Sequence, residues 1–146
     1  TIESCRLEMG YRAWGSDLGA DHTPYEAGLG WAVKLNTDQA FKGRAAMETQ
    51  KQDGVKKMLA GFTVDDPSVV LLGRETIFRN GMRVGWLSSG GFGYTVKQSI
   101  GYGYIRNQEG VDKNYIEAGD YELEVATVRI PCKVHLNPLL KTSMRN

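Results

Sequence analysis

The chain has 146 residues, 41% of them apolar and 24% charged, which is ordinary for a folded protein with one domain or a small domain and an added part. The formal net charge is +1 and no block of Lys and Arg stands out. This balance argues against nucleic acid as the main partner, because phosphate binding needs clustered cations. The sequence shows no charged-then-apolar leader and no long apolar run, so neither secretion nor a membrane partner is expected.

The first part of the chain predicts short helices and irregular loops. Residues 2–9 predict the end of a helix, which Gly10 closes because glycine adopts the left-handed conformation without strain. Thr23, Pro24 and Glu26 have the spacing of a capping box, in which a hydroxyl and a carboxylate each satisfy a free backbone N–H. A short helix is therefore expected after Thr23.

Two further elements precede a change of composition near residue 54. Trp31, Val33 and Leu35 alternate with other residues and predict a buried strand or extended segment. Residues 43–53 predict a helix that Gly54 ends. Beyond this point the chain predicts strands and turns.

The remainder of the chain has a period of two in its apolar residues. Residues 55–64 and 100–105 each predict a strand. Asn80-Gly81, within the run 76–86, predicts a hairpin, because both residues tolerate the positive φ of a type I′ turn. Lysines 56 and 57 are interpreted as a solvated strand edge.

Three segments complete the predicted topology. The Ser/Gly-rich run 88–93 predicts a barrel corner, and a phosphate-binding loop is disfavoured there because the flanks predict strands and not a helix. Residues 108–119 predict a polar loop with one turn, and residues 121–136 predict a second hairpin with a half-buried last strand. At least five strands with short turns predict a small antiparallel barrel or Greek-key sandwich.

Long stretches of the chain together carry a family resemblance that covers most of its length. The stretches are RLEMGYRAWGSDL (6–18), TPYEAGLGWAVKL (23–35), FKGRAAMETQKQDGVKKMLAGFTVDD (41–66) and IFRNGMRVGWLSSGGFGYTVKQSIGYGYI (77–105). They resemble the C-terminal part of the glycine-cleavage T-protein (aminomethyltransferase) superfamily. The residue sequence of the first stretch and the hairpin with Arg79-Asn80-Gly81 most resemble the sarcosine and dimethylglycine dehydrogenase branch of this superfamily.

The resemblance implies a mostly β, α+β chain. Residues 1–54 would be the end of a folate-binding middle subdomain, and residues 55–146 a small antiparallel Greek-key β-barrel. Members of this branch are long polypeptides in which FAD oxidises an N-methyl amine and tetrahydrofolate takes up the one-carbon unit. The flavin-binding motif and the family's catalytic aspartate lie outside this chain. The implied partners are therefore the remaining folate and flavin domains of the same polypeptide and the small-molecule amine, and a homodimer of the chain is left open.

Two folate-contacting positions are carried over from the resemblance. Tyr11 occupies a position near the pteridine side of the pocket, and Arg145 falls near a basic position that contacts the folate tail. Many T-proteins have a folate-contacting arginine where this chain has Ile2, and the dehydrogenase branch tends to lack it. No catalytic residue and no metal ligand is assigned.

The histidines and cysteines can be interpreted either as structural or as functional residues. The histidines, His22 and His135, are expected to be solvated and not catalytic. Cys5 and Cys132 have no metal-binding or disulfide spacing, so reduced thiols are expected, in a cytoplasm or, in a eukaryote, the mitochondrial matrix. Cys5 is expected to be a small core residue of a helix.

The carboxylates and aromatic residues of the first part remain open at this level. Several carboxylates offer acid–base groups, but capping and strand-end roles explain most of them better; they are Asp17, Asp21, Glu26, Asp65 and Asp66. The aromatic residues either stack on a pterin ring or pack the junction of the two subdomains; they are Tyr11, Trp14, Tyr25 and Trp31.

Two alternatives to the dehydrogenase stay open. One relative in the superfamily serves as a regulatory subunit of pyruvate dehydrogenase phosphatase, so one alternative is a non-catalytic module, and Ile2 is compatible with it. The other is a plain aminomethyltransferase that works with a lipoyl carrier and without flavin.

Overall fold

A computed structural model describes residues 1–140 of the chain. The order of elements is α1 (Ile2–Glu8), a 3-10 helix (Gly30–Ala32), α2 (Arg44–Asp53), β1 (Val55–Val64), β2 (Thr76–Arg79), β3 (Met82–Gly93), β4 (Gln98–Val111), α3 (Lys113–Glu117), β5 (Tyr121–Val125) and β6 (Val128–His135). None of the helices in this range has the length and apolar character needed to cross a membrane.

The six strands of the described residues form a closed antiparallel barrel in the order β1-β4-β3-β2-β5-β6. Strands β2, β3 and β4 follow one another as hairpins, and β1 lies beside β4, which is a Greek-key arrangement. β1 also pairs with β6 through Gly61–Thr63, and this pairing closes the barrel. The predicted barrel is therefore confirmed, with six strands where at least five were expected.

The interior of the barrel is an apolar core. It comprises Ala60, Phe62, Val64, Leu71, Ile77, Leu87, Ile105, Val111, Ile116, Tyr121 and Leu123. From Met58 onward the even-numbered residues of β1 point inward, as the period of two predicts.

The outer wall of β1 and β4 is also buried, because the N-terminal segment packs on it. Leu7 of α1 joins Leu59, Ile100, Tyr102 and Tyr104 in a second apolar cluster. This packing explains why the residues of β1 that point outward, from Leu59 on, are also buried. A strand can be covered on both sides when another element lies across its outer surface.

The predicted hairpin at Asn80-Gly81 is confirmed. Asn80 has φ 50° and Gly81 has φ 78°, the positive values that a type I′ turn needs. The second predicted hairpin is confirmed as β5 and β6. The predicted helix over residues 43–53 is confirmed as α2, which ends at Gly54.

Two of the predicted connections between strands are wrong. The run 88–93 is not a corner but the second half of β3, and its glycines make room for neighbouring chain segments. A Cβ at Gly90 would lie 2.8 Å from the Leu71 carbonyl oxygen, and one at Gly91 would lie 2.9 Å from Leu7 Cδ1. The segment 108–119 is not one polar loop, because β4 continues to Val111 and α3 follows it.

The alternation at Trp31, Val33 and Leu35 does not produce a strand. The Val33 amide donates to the Gly30 carbonyl (3.1 Å), which closes a 3-10 turn, and no neighbouring strand in residues 1–140 is there to pair with it. The capping box after Thr23 forms both of its hydrogen bonds, with the Thr23 amide 3.0 Å from Glu26 Oε2 and the Glu26 amide 3.3 Å from Thr23 Oγ1. The backbone there makes only a turn, not the expected helix.

Candidate functional site

A cleft of about 450 Å³ lies where the N-terminal segment meets the outer wall of the barrel. The chain after α1, the turn around residue 28 and the end of β6 form its rim. Its lining residues are Met9, Gly10, Tyr11, Arg12, Leu18, Gly28, Leu29, Trp31, Leu59, Gly61, Tyr102, His135, Leu136, Asn137 and Pro138. A concave, mostly apolar site with a few polar groups is what small organic ligands bind.

The end of α1 positions Tyr11 at this cleft. Gly10 has φ 69°, its amide donates to the Leu7 carbonyl (3.2 Å), and the Tyr11 amide donates to the Arg6 carbonyl (2.9 Å). These two bonds form a Schellman motif, which turns the chain sharply out of the helix. A Cβ at Gly10 would also lie 3.4 Å from the Tyr102 hydroxyl. Tyr11 is consequently 62% exposed, although it follows a buried helix end.

Arg12 is the cation of the cleft, and sequence reasoning did not single it out. Its guanidinium donates to the carbonyl oxygens of Gly10 (2.8 Å), Ala27 (3.0 Å) and Gly28 (3.4 Å), which ties the two loops of the rim together. No carboxylate within residues 1–140 forms an ion pair with it, so it gives the cleft a positive charge. Only the three-dimensional proximity of the two loops reveals this role.

His135 forms part of the cleft wall and is not the solvated residue that was expected. It is half-buried, and its Nε2 lies 2.8 Å from Thr63 Oγ1 on the neighbouring strand. Burial, assisted by nearby Lys133, lowers the pKa of His135. A neutral imidazole that is bonded to a hydroxyl in the wall fits a structural role.

The aromatic residues of the first part separate into two groups. Tyr11 and Trp31 line the cleft, and Trp31 is 80% exposed. Trp14 is 79% exposed away from the cleft lining, while Tyr25 packs over Gly30, where an added Cβ would lie 2.6 Å from its ring. Two of the four aromatic residues are thus available to a ligand in this cleft.

Asp17 is a buried structural carboxylate and not an acid–base group. Arg6 Nη1 donates to its Oδ2 (2.7 Å), the Ala13 amide donates to the same oxygen (3.0 Å), and the hydroxyls of Ser88 and Ser89 donate to Oδ1. Arg6 ties the loop to α1 and the two serines tie it to β3, while the Ala13 amide closes the loop on itself. The residue-type pattern gave no sign of this network, because the two serines lie 71 and 72 residues from Asp17 in the chain.

Glu8 performs a similar task at the other end of β3. It is buried, and its Oε1 accepts the amides of Thr95 (2.6 Å) and Val96 (3.0 Å) in the β3–β4 turn. Burial on its own would raise the pKa of Glu8, but the hydrogen bonds from Val96 and Thr95 outweigh it and hold the pKa below its usual range. This carboxylate therefore fixes α1 to the barrel.

The remaining candidates among residues 1–140 lie outside the cleft. Cys5 is exposed on α1, which contradicts the core position predicted for it, because the apolar face of α1 is formed by other residues. Burial raises the pKa of the Cys132 thiol to about 12, so it stays protonated. His22 is partly buried and stacks on Tyr104 at a centroid distance of 4.4 Å, so it is not a solvated loop residue. Arg145 lies outside the described residues.

The part of the chain that the structure describes has no cluster of three or more side chains suited to a metal ion. A folate-like ligand is better matched to the cleft. Tyr11 and Trp31 offer flat faces, and Arg12 offers positive charge to an anionic group. Most other polar groups there are already bonded within the chain, including the Tyr102 hydroxyl, which donates to the Leu7 carbonyl (3.0 Å).

Fold and cleft define the class of protein as a Greek-key barrel domain with a helical segment docked on its outer wall. Residues 57–141 match the family model for the glycine cleavage T-protein C-terminal barrel domain, and residues 1–37 match that for the GCVT N-terminal domain. The chain belongs to the glycine cleavage T-protein family.

Individual relatives agree with this assignment. The chain is 42% identical to sarcosine dehydrogenase, mitochondrial, from Mus musculus over 92% of its own length and 15% of that protein. It is 35% identical to the mitochondrial pyruvate dehydrogenase phosphatase regulatory subunit of Mus musculus, over 94% of this chain and 17% of that protein. The chain therefore spans less than a fifth of these curated relatives.

A solved structure resembles the fold as well. The crystal structure of glycine cleavage system aminomethyltransferase T from Bartonella henselae superposes with a TM-score of 0.78 at 29% identity, covering 94% of this chain and 37% of that one.

Proposed function

We propose that this chain is the C-terminal folate-domain portion of a flavin-dependent dehydrogenase that demethylates sarcosine or dimethylglycine and passes the one-carbon unit to tetrahydrofolate. The similarity to sarcosine dehydrogenase supports this choice over a plain aminomethyltransferase. It extends over 92% of the chain at 42% identity, whereas the aminomethyltransferase of Phocaeicola vulgatus matches 71% of the chain at 36% identity.

The observation that carries the proposal is the cleft with two exposed aromatic rings and, at its rim, a cation that no carboxylate of the described residues pairs with. In it, Tyr11 and Trp31 would face the flat part of tetrahydrofolate, and Arg12 would attract a carboxylate of its tail. Tetrahydrofolate supplies the acceptor for the one-carbon unit. The residues of this chain bind, orient and shield it from water, and the proposal assigns none of them to proton transfer.

The cleft is one side of a site and not a whole one. Its polar groups are largely bonded to one another, so the directional contacts to the pteridine must come from the rest of the polypeptide. On this proposal residues 1–54 are the end of the middle subdomain and residues 55–146 the barrel. Arg145 is kept as a candidate contact to the folate tail. FAD binds to another domain, and the chain alone is inactive.

The named mitochondrial relatives favour the mitochondrial matrix if the source is a eukaryote. The regulatory subunit remains the second candidate function, because its similarity also extends over nearly the whole chain. Ile2, which is 89% exposed, stands where many T-proteins have a folate-contacting arginine, and this substitution is compatible with the second candidate.

The first experiment measures the size and colour of the native polypeptide in an extract of the source, using an antibody to this chain. A large yellow band with flavin absorbance and with oxidation of sarcosine or dimethylglycine is expected. A band near the 16.2 kDa of this chain, or a large protein without flavin, would rule out the dehydrogenase and favour the non-catalytic module.

A second experiment tests the cleft in the purified full-length protein. Tyr11→Ala is expected to weaken tetrahydrofolate binding about tenfold while flavin reduction by the amine is retained, because only the folate face loses a stacking partner. Tyr94→Ala is the matched control, since Tyr94 is 71% exposed in the β3–β4 turn, away from the cleft lining. Equal effects of the two variants would contradict the placement of folate in this cleft.

A further inference from the structure

A second groove, of about 480 Å³, lies on the outer face of β1, β4 and β3, next to the N-terminal segment. Four cations from these three strands line it, and they are Lys56, Lys57, Arg83 and Arg106. Trp86, which is about half exposed, lies among them. The chain as a whole has a formal net charge of only +1, so the groove is a local concentration of positive charge.

Irregularities in the strands bring these cations to one face. In β3 the pairing passes from Ile77–Gly85 to Phe78–Arg83, so Val84 is an extra residue. Without this bulge Arg83 would share the inward face with Gly85, whose partner Ile77 is fully buried in the core. The bulge turns Arg83 outward, beside Trp86.

A larger irregularity acts on the other side of the groove. The pairing of β1 with β4 passes from Val55–Val111 to Lys57–Arg106, so residues 107–110 lie opposite Lys56 alone. This widening lets Lys56 line the same groove as Lys57, although adjacent residues of a regular strand point to opposite faces. Lys56 is solvent-exposed as the sequence predicted, but β1 has a neighbouring strand on both sides, so the predicted strand edge is wrong.

Arg106 is held in place by its neighbours, and of the four cations only Lys57 is paired with a carboxylate among the described residues. The Arg106 guanidinium lies 4.0 Å from the centroid of the Trp86 ring, and its Nη1 donates to the Tyr104 carbonyl (3.2 Å). Glu26, the acidic residue in the lining, is 3.7 Å from Lys57. Within residues 1–140 no carboxylate forms an ion pair with Lys56, Arg83 or Arg106.

We propose that this groove is a docking surface for an extended, carboxylate-rich segment of a partner polypeptide. Neighbouring strands lie about 4.8 Å apart, so cations on three strands match several separate carboxylates better than a single phosphate, which needs donors that converge on one point. Trp and Arg are the residue types that dominate binding energy in protein interfaces. The surface does not depend on folate or flavin and stands apart from the proposed function.

Titration of the full chain with a short synthetic peptide of alternating glutamate and alanine tests the proposal. Binding is expected at low ionic strength, with an affinity that falls as salt is added. Arg83→Glu is expected to weaken it about tenfold or more, because one attraction becomes a repulsion. Arg83 is exposed on the outer face, so the barrel core is not disturbed.

Lys97→Glu provides the matched control, since it makes the same change of net charge in the turn at the far end of β3 and β4. It is expected to change the affinity less than about twofold. No detectable binding, an equal loss in Lys97→Glu, or displacement of the peptide by an equal concentration of inorganic phosphate would each overturn the proposal. The last result would mean a single-anion site.

Discussion

The barrel and the segment before it are stabilised in different ways. The barrel closes on itself around a continuous apolar core. Of the described residues before Val55, only Leu7 and Ala27 are buried apolar side chains. That segment is attached through buried polar groups, chiefly Glu8 and Asp17, which bond to the barrel wall and its β3–β4 turn. Non-directional packing holds the barrel, and directional bonds hold the segment in one register on it.

The largest effect is expected from emptying the barrel core. Phe62→Ala removes a fully buried ring that packs edge-on against Tyr121, and it should lower the free energy of unfolding by about 3–5 kcal/mol. Denaturant unfolding measures it. A loss under about 1 kcal/mol would mean that the core collapses into the space or is not closed.

The attachment of the segment is tested by Asp17→Ala. The change removes one acceptor from Arg6, from the Ala13 amide and from two serine hydroxyls, so a loss of about 3 kcal/mol is expected. Exposed Asp38→Ala serves as the control and should be neutral. If the Asp17 network does not contribute to stability, the two variants will unfold at the same denaturant concentration.

Gly81→Val tests the hairpin within the barrel. A β-branched residue at φ 78° should cost about 1–2 kcal/mol, while Asn80→Gly should be close to neutral because glycine accepts the turn. Melting temperatures of the two variants give the comparison. An unchanged melting temperature for Gly81→Val would contradict the type I′ turn.

Acid sensitivity distinguishes the cleft wall from the rest of the barrel. The pKa of His135 is lowered from its ordinary value of 6.5 by burial and by Lys133, so the unfolded chain binds a proton there first. Stability from this group is complete above 6.5 and falls as pH drops below that value toward the folded pKa. His135→Gln should remove this component from the pH profile of unfolding below pH 6.5, while His22→Gln should retain it.

The smallest effect is local and concerns α2. This helix has no buried residue, so its amides should exchange with an opening free energy near zero, whereas those of β1 and β4 should exchange only on global unfolding. The amides of α1 should exchange more slowly than those of α2, because Leu7 and Glu8 fix α1 to the wall. Hydrogen exchange read residue by residue decides this, and uniform protection of α1, α2 and the strands would refute it.

Local signals in the sequence predicted most of the barrel. The Asn80-Gly81 turn and the period of two in β1 and β6 are properties of adjacent residues, and they were confirmed. The Ser/Gly run was misread as a corner because glycine signals either a bend or a close approach, and only the position of Leu71 shows which one applies. The division at residue 54 remains a prediction.

The candidate site was less predictable. Tyr11 was carried over from a family resemblance, and the structure places it on a cleft. Arg12 was missed because its role depends on carbonyls 15 and 16 residues further along the chain. The alternation at Trp31 misled because a strand needs a partner to pair with, and three residues cannot indicate whether one exists.

The hydroxyls of Tyr102 and Tyr104, on the outer wall of the barrel, find their hydrogen-bond partners in the segment that covers this wall. They donate to the carbonyls of Leu7 (3.0 Å) and Asp17 (2.7 Å), so the wall depends for its hydrogen bonds on the N-terminal segment, which lies outside the barrel. If the barrel were moved to another gene without that segment, its tyrosines and the second apolar cluster would be exposed to solvent. The piece that recombination can transfer intact is therefore larger than the barrel and includes the helix that precedes it by nearly fifty residues.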